Sequence, residues 1–281
     1  MALSIRTNLS SINAQRTLAK TQMNLKDNLS KLASGYRVRS AADDAAGLAI
    51  SEKMKAQIRS LVQAERNAND GISLIQTTDG ALNELHGMMD RLRELAIQSA
   101  NGTYTDNDRL FINDEVSEMI SEVNRIVDVT EFNSHKLLNG SRNSGIDFQV
   151  GINNSALDII TVSIMDMHAS QLGDAASTYL DSISVSTVSG ALQAIDVVDA
   201  AITGISEQRS KLGASQNRLQ VTVSNLASYR ENLSAANSQI RDIDVAEETA
   251  EMSRNNILMQ AGTSVLAQAN QIQQVALNLV G

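Results

Sequence analysis

Apolar residues recurring in alternating steps of four and three constrain this chain more than any other feature. Met54, Ile58, Leu61, Ala68, Ile72 and Ile75 follow that spacing with one gap at Glu65, and Leu82, Leu85, Met89, Leu92 and Ala96 continue the stripe. The pattern keeps one helix face apolar over many turns and suits packing against another helix. The chain has no proline, the residue that removes a helical hydrogen bond and clashes with the preceding turn, so nothing breaks the run. At about 1.5 Å per residue, the stretch 45–99 predicts a helical rod of roughly 80 Å, which cannot form a compact globule by itself.

A second helix is predicted over 106–130, with Ile112, Val116, Met119, Val123 and Ile126 on one face. Asn101-Gly102 signals a turn before it and Thr105 or Asp106 its N-cap, so the two helices should form an antiparallel hairpin. A third long helix is predicted from Ser189 to about Ile240, striped by Leu192, Ile195, Val198, Ile202, Ile205, Leu212, Leu219, Val223, Leu226, Leu233 and Ile240. Arg209, Gln216 and Arg230 fall at seam positions and should help set register. Gly204 and Gly213 predict a kink or a tight neighbour, since each costs about 1 kcal/mol in a helix interior.

Both ends of the chain are amphipathic. Ile5, Leu9 and Ile12, then Leu18, Leu25, Leu29 and Leu32, precede the helix stop Ser34-Gly35. At the other end Val245, Met252, Met259, Leu266, Leu277 and Val280 share a face. Each narrow stripe must be buried, against the other or against another molecule. Only the middle departs from helix. Runs at 146–150 and 157–164 predict a β-hairpin turning at Asn153-Asn154, and 165–188 reads as a loop with one short strand. The fold class is therefore mainly α: a long coiled-coil-like helical rod with a small β-hairpin region.

Composition excludes several functions. With 23 Lys and Arg against 32 Asp and Glu and a net charge of -9, the chain lacks the basic footprint of a nucleic-acid binder. With no cysteine, thiol catalysis, disulfides and Cys-ligated metals are out. Residues 1–16 contain no continuous apolar core of a signal peptide. No unbroken run of about 18 apolar residues is present, so no membrane insertion is expected. His86, His135 and His168 match no metal-ligand spacing and read as ordinary exposed histidines. Asp242, Asp244, Glu247, Glu248 and Glu251 lack EF-hand spacing and read as a linker and the acidic first turn of a helix. Asp43-Asp44 reads as an N-cap followed by a helix-starting acid. No GxSxG, GxGxxG or P-loop pattern supports catalysis, and no cofactor is implied.

Four segments make the chain resemble bacterial flagellin over nearly its whole length: LSKLASGYRVRSAADDAAGLAISEKM (29–54), RLRELAIQSANGTYT (91–105), FNSHKLLNG (132–140) and MSRNNILMQAGTSVLAQANQ (252–271). The resemblance implies paired N- and C-terminal helices forming the inner D0 tube of a filament, around which lies a D1 layer. It implies D0 helix and spoke at 1–44, D1 N-terminal helices and β-hairpin region at 45–188, the D1 C-terminal helix at 189–240 and the C-terminal D0 helix at 241–281. Only about 25 residues, 165–189, occupy the place where longer members carry outer D2 and D3 domains.

The implied protein is a short flagellin, a non-enzymatic structural subunit that polymerises through its terminal helices into the filament for motility. It would be exported by the type III route to the extracellular flagellum. Leu9, Ile12, Leu25, Leu29, Leu32, Met252, Met259, Leu266 and Leu277 would carry self-assembly, with the stripes largely disordered until a filament buries them. Implied partners are further copies of itself, an export chaperone, the filament cap and the hook-filament junction proteins. Arg91, Leu95, Gln98 and Glu115 match positions at which flagellins contact the Toll-like flagellin receptor. The alternatives are a hook-filament junction protein and a secreted monomeric adhesin or immune ligand.

Overall fold

The computed structural model describes residues 7–174 and 178–278. Long helices dominate: α1 (Leu9–Ser34), α2 (Ala45–Ala100), α3 (Asp106–Val129), α4 (Val188–Arg241) and α5 (Val245–Asn278). Between α3 and α4 lie three antiparallel strand pairs: β1 (Glu131–Phe132) with β2 (His135–Lys136), β3 (Ile146–Gln149) with β4 (Ile159–Val162), and β5 (Gly173–Asp174) with β6 (Thr178–Tyr179). The chain divides into two compact units, Met1–Ile58 with Glu231–Gly281, and Arg59–Arg230. The division falls inside α2 and α4 and not at their ends.

In the unit Arg59–Arg230 the α2–α3 hairpin forms as its turn residues predict. The Asp108 amide donates to Thr105 Oγ1 at 3.3 Å while the Thr105 amide donates to Asp108 Oδ2 at 2.9 Å, a reciprocal capping box. Arg109, 5% exposed, donates to the carbonyls of Ser99 and Asn101 at 2.9 and 3.1 Å. Those carbonyls end α2 and would otherwise lack partners. The core is a continuous apolar stripe, with Leu82, Leu85, Met89, Leu92 and Leu95 of α2 packed among Ile112, Val116 and Val123 of α3 and Val198, Ile205 and Leu212 of α4.

Several expectations are corrected here. On α4 the core positions belong to Ala191, Ala194, Ala201 and Gln208 alongside the larger side chains, while Leu192 is exposed. Small residues allow close helix approach, so the inward face is chosen by fit and not by size. Gly204 and Gly213 have nothing within 4 Å of a notional Cβ, so neither accommodates a tight neighbour. The seam residues Arg209 and Arg230 are held by ion pairs, to Asp79 at 2.8 Å and Glu65 at 3.6 Å.

The hairpin does not turn tightly at Asn153-Asn154. β3 and β4 are joined by 150–158, which ends in a 3₁₀ turn at Ala156–Asp158 and leaves Leu157 94% exposed. The region 165–188 holds a strand pair and not one strand. His168 is half-buried, between Asp166 at 2.6 Å and Asp128 at 3.2 Å. Burial works to lower its pKa, and the bonds to the two carboxylates outweigh it, so the pKa is raised.

Among the described helices α4 alone is long and apolar enough to cross a membrane, with a best 18-residue window of mean hydropathy 1.4. An unbroken apolar run is thus too strict a criterion, since Ala-rich and Val-rich stretches raise hydropathy between polar residues. The same helix supplies Ala191, Ala194, Val197, Val198 and Ala201 to the protein core.

In the other unit the α1–α2 and α4–α5 connections clasp each other. The Arg37 amide donates to the Arg241 carbonyl at 2.7 Å and the Ile243 amide to the Gly35 carbonyl at 3.2 Å. The Arg241 guanidinium lies 4.7 Å from the Tyr36 ring centroid and pairs with Glu52. The two acids before α2 divide their work. Asp44 Oδ1 accepts from the Gly47 amide at 2.9 Å as the N-cap. Asp43 accepts from the Arg39 and Ser40 amides, both at 3.0 Å, and those bonds hold its carboxyl below the usual range.

Candidate assembly surface

α1 and α5 start and stop where local chemistry dictates. Asn8 accepts from the Ser11 amide at 3.0 Å, and Gly35 closes α1 in the left-handed region at φ 72°. Asp244 accepts from the Ala246 and Glu247 amides at 2.9 and 3.3 Å, and the acidic first turn Glu247-Glu248 suits the positive end of the helix dipole.

The two helices run antiparallel against each other. The Asn8 side chain donates to the Ala269 carbonyl at 3.0 Å, Ser11 Oγ donates to Asn270 Oδ1 at 3.0 Å, and Asn28 Nδ2 donates to Glu248 Oε1 at 2.6 Å. Between these points Ser11, Leu18, Thr21, Leu25, Asn28 and Leu32 of α1 face Glu248, Met252, Asn255, Met259, Gly262, Leu266 and Ala269 of α5. Gly262 keeps the helices close, since a Cβ there would lie 3.2 Å from Leu18 Cδ1. Among the described residues the two terminal stripes are helical and face each other within the chain.

The seam is polar at its most buried points. Ser11, Thr21, Asn28 and Glu248 are shut away together with the small Ala269, whereas Leu25, Leu32, Met252, Met259 and Leu266 are only half-buried. Asn28 sits at the centre of a small network, donating to Glu248 and accepting from Asn255 Nδ2 at 3.0 Å.

Several large apolar groups are left outside the seam. Leu9 is 67% exposed, and Ile12 and Leu29 stand half in solvent. Met23 at 66% and Ile257 at 66%, with Leu258, Val265 and Ile272, are also exposed and were not singled out by the principal stripe. Their signal was present, because 258, 265 and 272 are spaced by sevens as a second phase of the repeat. The side chain of Leu277 lies outside the described residues.

Arg91, Gln98 and Glu115 form an exposed polar patch in the other unit. Arg91 pairs with Glu115 at 2.9 Å and Glu94 at 3.0 Å, which raises its pKa further, and Gln98 donates to Tyr104 Oη at 3.2 Å. Leu95 is 1% exposed and belongs to the core, so it offers no surface to a partner.

Comparison with known proteins agrees with this architecture. The bacterial flagellin N-terminal helical region matches residues 5–143, and the bacterial flagellin C-terminal helical region matches residues 195–280. A flagellin of Halalkalibacterium halodurans is 46% identical over 97% of this chain and 98% of its own length. A flagellar filament core protein of Brachyspira hyodysenteriae is 45% identical over 98% of this chain and 99% of its own. A solved structure assigned as a flagellar hook-associated protein of Vibrio parahaemolyticus, 12% identical, shares the fold with a TM-score of 0.59 over 71% of this chain and 100% of that one. With both helical regions matched in order and relatives aligned end to end, the chain belongs to the bacterial flagellin family.

Proposed function

We propose that this chain is a structural subunit that polymerises through its terminal helices into a flagellar filament outside the cell and serves motility. The observation that carries the reading is the α1/α5 pair: its seam buries Ser11, Thr21, Asn28 and Glu248, while Leu9, Ile12, Met23 and Leu29 on one helix and Ile257, Leu258, Val265 and Ile272 on the other are exposed. Each such side chain gains about 1.5–3 kcal/mol on full burial, which favours association between copies. The half-buried Leu25, Leu32, Met252, Met259 and Leu266, with Leu277, complete the set assigned to assembly. In this reading the divisions 1–44 and 241–281 serve as the inner tube, and 45–188 with 189–240 as the outer rod.

The full-length flagellin relatives favour a filament subunit over a junction protein, whose likeness here is one of fold. An export chaperone, filament cap and hook-filament junction proteins are the further partners of this reading. Arg91, Gln98 and Glu115 remain as the surface available to a Toll-like receptor.

The test is seeded polymerisation: purified chain added to short filament fragments, followed by light scattering and negative-stain electron microscopy. Elongation of the seeds is the expected result. Absence of elongation by a folded chain overturns the reading.

A further inference from the structure

The chain has ten methionines and neither cysteine nor tryptophan. Toward an oxidant such as a peroxide, the methionine sulfur is therefore the most reactive side-chain atom the protein offers. Burial sorts these sulfurs sharply. Among the described residues Met89 and Met167 are sealed in the core, Met252 and Met259 are half-buried in the α1/α5 seam, and only Met23 and Met165 are exposed, at 66% and 47%.

The two exposed methionines have different surroundings. Met165 follows β4 in the unit Arg59–Arg230. Met23 lies midway along α1 and is the single methionine of that helix. With about 3.6 residues per turn, Met23 points away from α5: Thr21 and Leu25 of the seam lie about 160° around the helix from it, whereas Leu9 and Ile12 lie within about 40°. Leu9 and Ile12 are exposed as well. Met23 thus belongs to the apolar strip of α1 that the assembly reading covers with neighbouring copies.

Oxidation at this position changes what the strip can do. The Met23 sulfur takes one oxygen atom from a peroxide and is oxidised from thioether to sulfoxide, while the peroxide is reduced to water. The product carries a polar oxygen where an adaptable apolar side chain stood. On the free chain, water satisfies that oxygen. A polymer that buries the strip strips the water away and leaves a hydrogen-bond acceptor without a donor, which weakens the contact. The same burial shuts the oxidant out once a copy is in place.

We propose that Met23 is a site of reversible oxidative modification: conversion of the free chain to Met23 sulfoxide blocks its addition to the polymer, reduction restores it, and assembled copies are protected. The inference rests on the polymer-forming reading above and adds a chemical control to its surface.

The test uses the full chain. Purified monomer is treated with dilute hydrogen peroxide, quenched and digested with trypsin, which cuts after Lys20 and Lys26 and frees residues 21–26 with Met23 as their one methionine. Mass spectrometry finds one added oxygen on that peptide before the peptides of Met252 and Met259 gain any. The treated chain extends seeds only above a critical concentration raised about tenfold or more, with the thermal transition of Arg59–Arg230 unchanged. Methionine sulfoxide reductase with a dithiol returns the critical concentration to its untreated value. Each variant is compared with its own untreated sample: peroxide leaves the critical concentration of M23L where it was and raises that of M165L as it does for wild type. The same dose on finished filaments leaves residues 21–26 without added oxygen. Equal peroxide sensitivity of M23L and wild type, growth of the Met23-oxidised chain at the untreated concentration, or oxidation of 21–26 in finished filaments overturns the site and leaves the polymer reading intact. Untreated wild-type chain that fails to extend seeds overturns both.

Discussion

The α1/α5 seam and the core of Arg59–Arg230 are built on the same heptad repeat and filled with different chemistry. In the core the repeat positions of α2 hold Leu82, Leu85, Met89 and Leu92, all essentially buried. In the seam the buried positions hold Ser11, Thr21, Asn28 and Glu248, with the small Ala269. A dry apolar repeat supplies folding energy in proportion to the area it hides. Buried polar groups contribute little net stability once hydrogen-bonded, and they specify which partners and which register are allowed. The first region is equipped to be stable alone, and the second to be paired correctly and completed by neighbours.

The sharpest way to break that comparison is to place one severe substitution in each region. Leu266→Asp, at the seam, is expected to abolish growth of seeded filaments while the thermal transition of Arg59–Arg230, followed by circular dichroism, stays where it was. Leu85→Ala, in the core, is expected to lower that transition by about 2–5 kcal/mol of stability through lost burial and a residual cavity. If L266D shifted the core transition as far as L85A, the two regions would not be independent.

A smaller effect tests what the polar layer does. N28L removes the hydrogen bond to the buried Glu248, leaving it only Lys31 at 4.0 Å, and should cost about 1–3 kcal/mol of helix pairing, measured by urea titration of circular dichroism. N28L/E248L should recover the helix content yet allow more than one register, read by cysteine cross-linking between α1 and α5. A single register in the double variant would show that Asn28 and Glu248 do not set alignment.

The capping box of α3 is worth less: T105A is expected to cost about 1 kcal/mol, visible as a shift in urea midpoint with unchanged filament growth. The smallest effect is that of His168. Its folded pKa is raised above the ordinary 6.5, so its stabilisation is fully present below that value and is lost as pH rises through the folded pKa. H168N should therefore melt lower than wild type at pH 5 and converge with it at pH 8, by less than about 1 kcal/mol. An equal offset at both pH values would assign His168 a packing role alone.

Helix positions were legible in the sequence because each carries its own local signals. The heptad spacing on α2, Thr105 at the start of α3 and Gly35 at the end of α1 act within a few residues of where they sit, and the structure uses each of them. Side-chain orientation on α4 was less legible. Its most apolar stripe includes Leu192, which the fold leaves outside, because Ala191 and Ala194 fit a closely approaching neighbour better. The β3–β4 connection is centred at Asn153-Asn154 as expected, but the second strand starts later than its pattern suggests: Leu157 looks like a strand residue, yet the backbone there makes a 3₁₀ turn.

The candidate assembly surface divides in the same way. Leu25, Leu32, Met252, Met259 and Leu266 were identifiable from periodicity, and so was a second phase at 258, 265 and 272 once it is sought. Periodicity cannot say which of two phases faces the sister helix. Nor did it separate Leu95, sealed in the core, from the exposed Arg91 and Gln98 beside it in the segment 91–105.

By itself the sequence determined a proline-free, cysteine-free set of long helices, their caps and breaks, and membership of the flagellin family, because propensity, spacing and turn chemistry act over short distances along the chain. Only the tertiary structure decided that the two terminal helices meet through Asn28, Glu248 and Asn255, and that Leu95 is sealed in the core while Leu192 stands outside it. Those facts depend on which faces approach across hundreds of residues of chain, where packing fit and hydrogen-bond satisfaction outweigh the polarity of any single side chain.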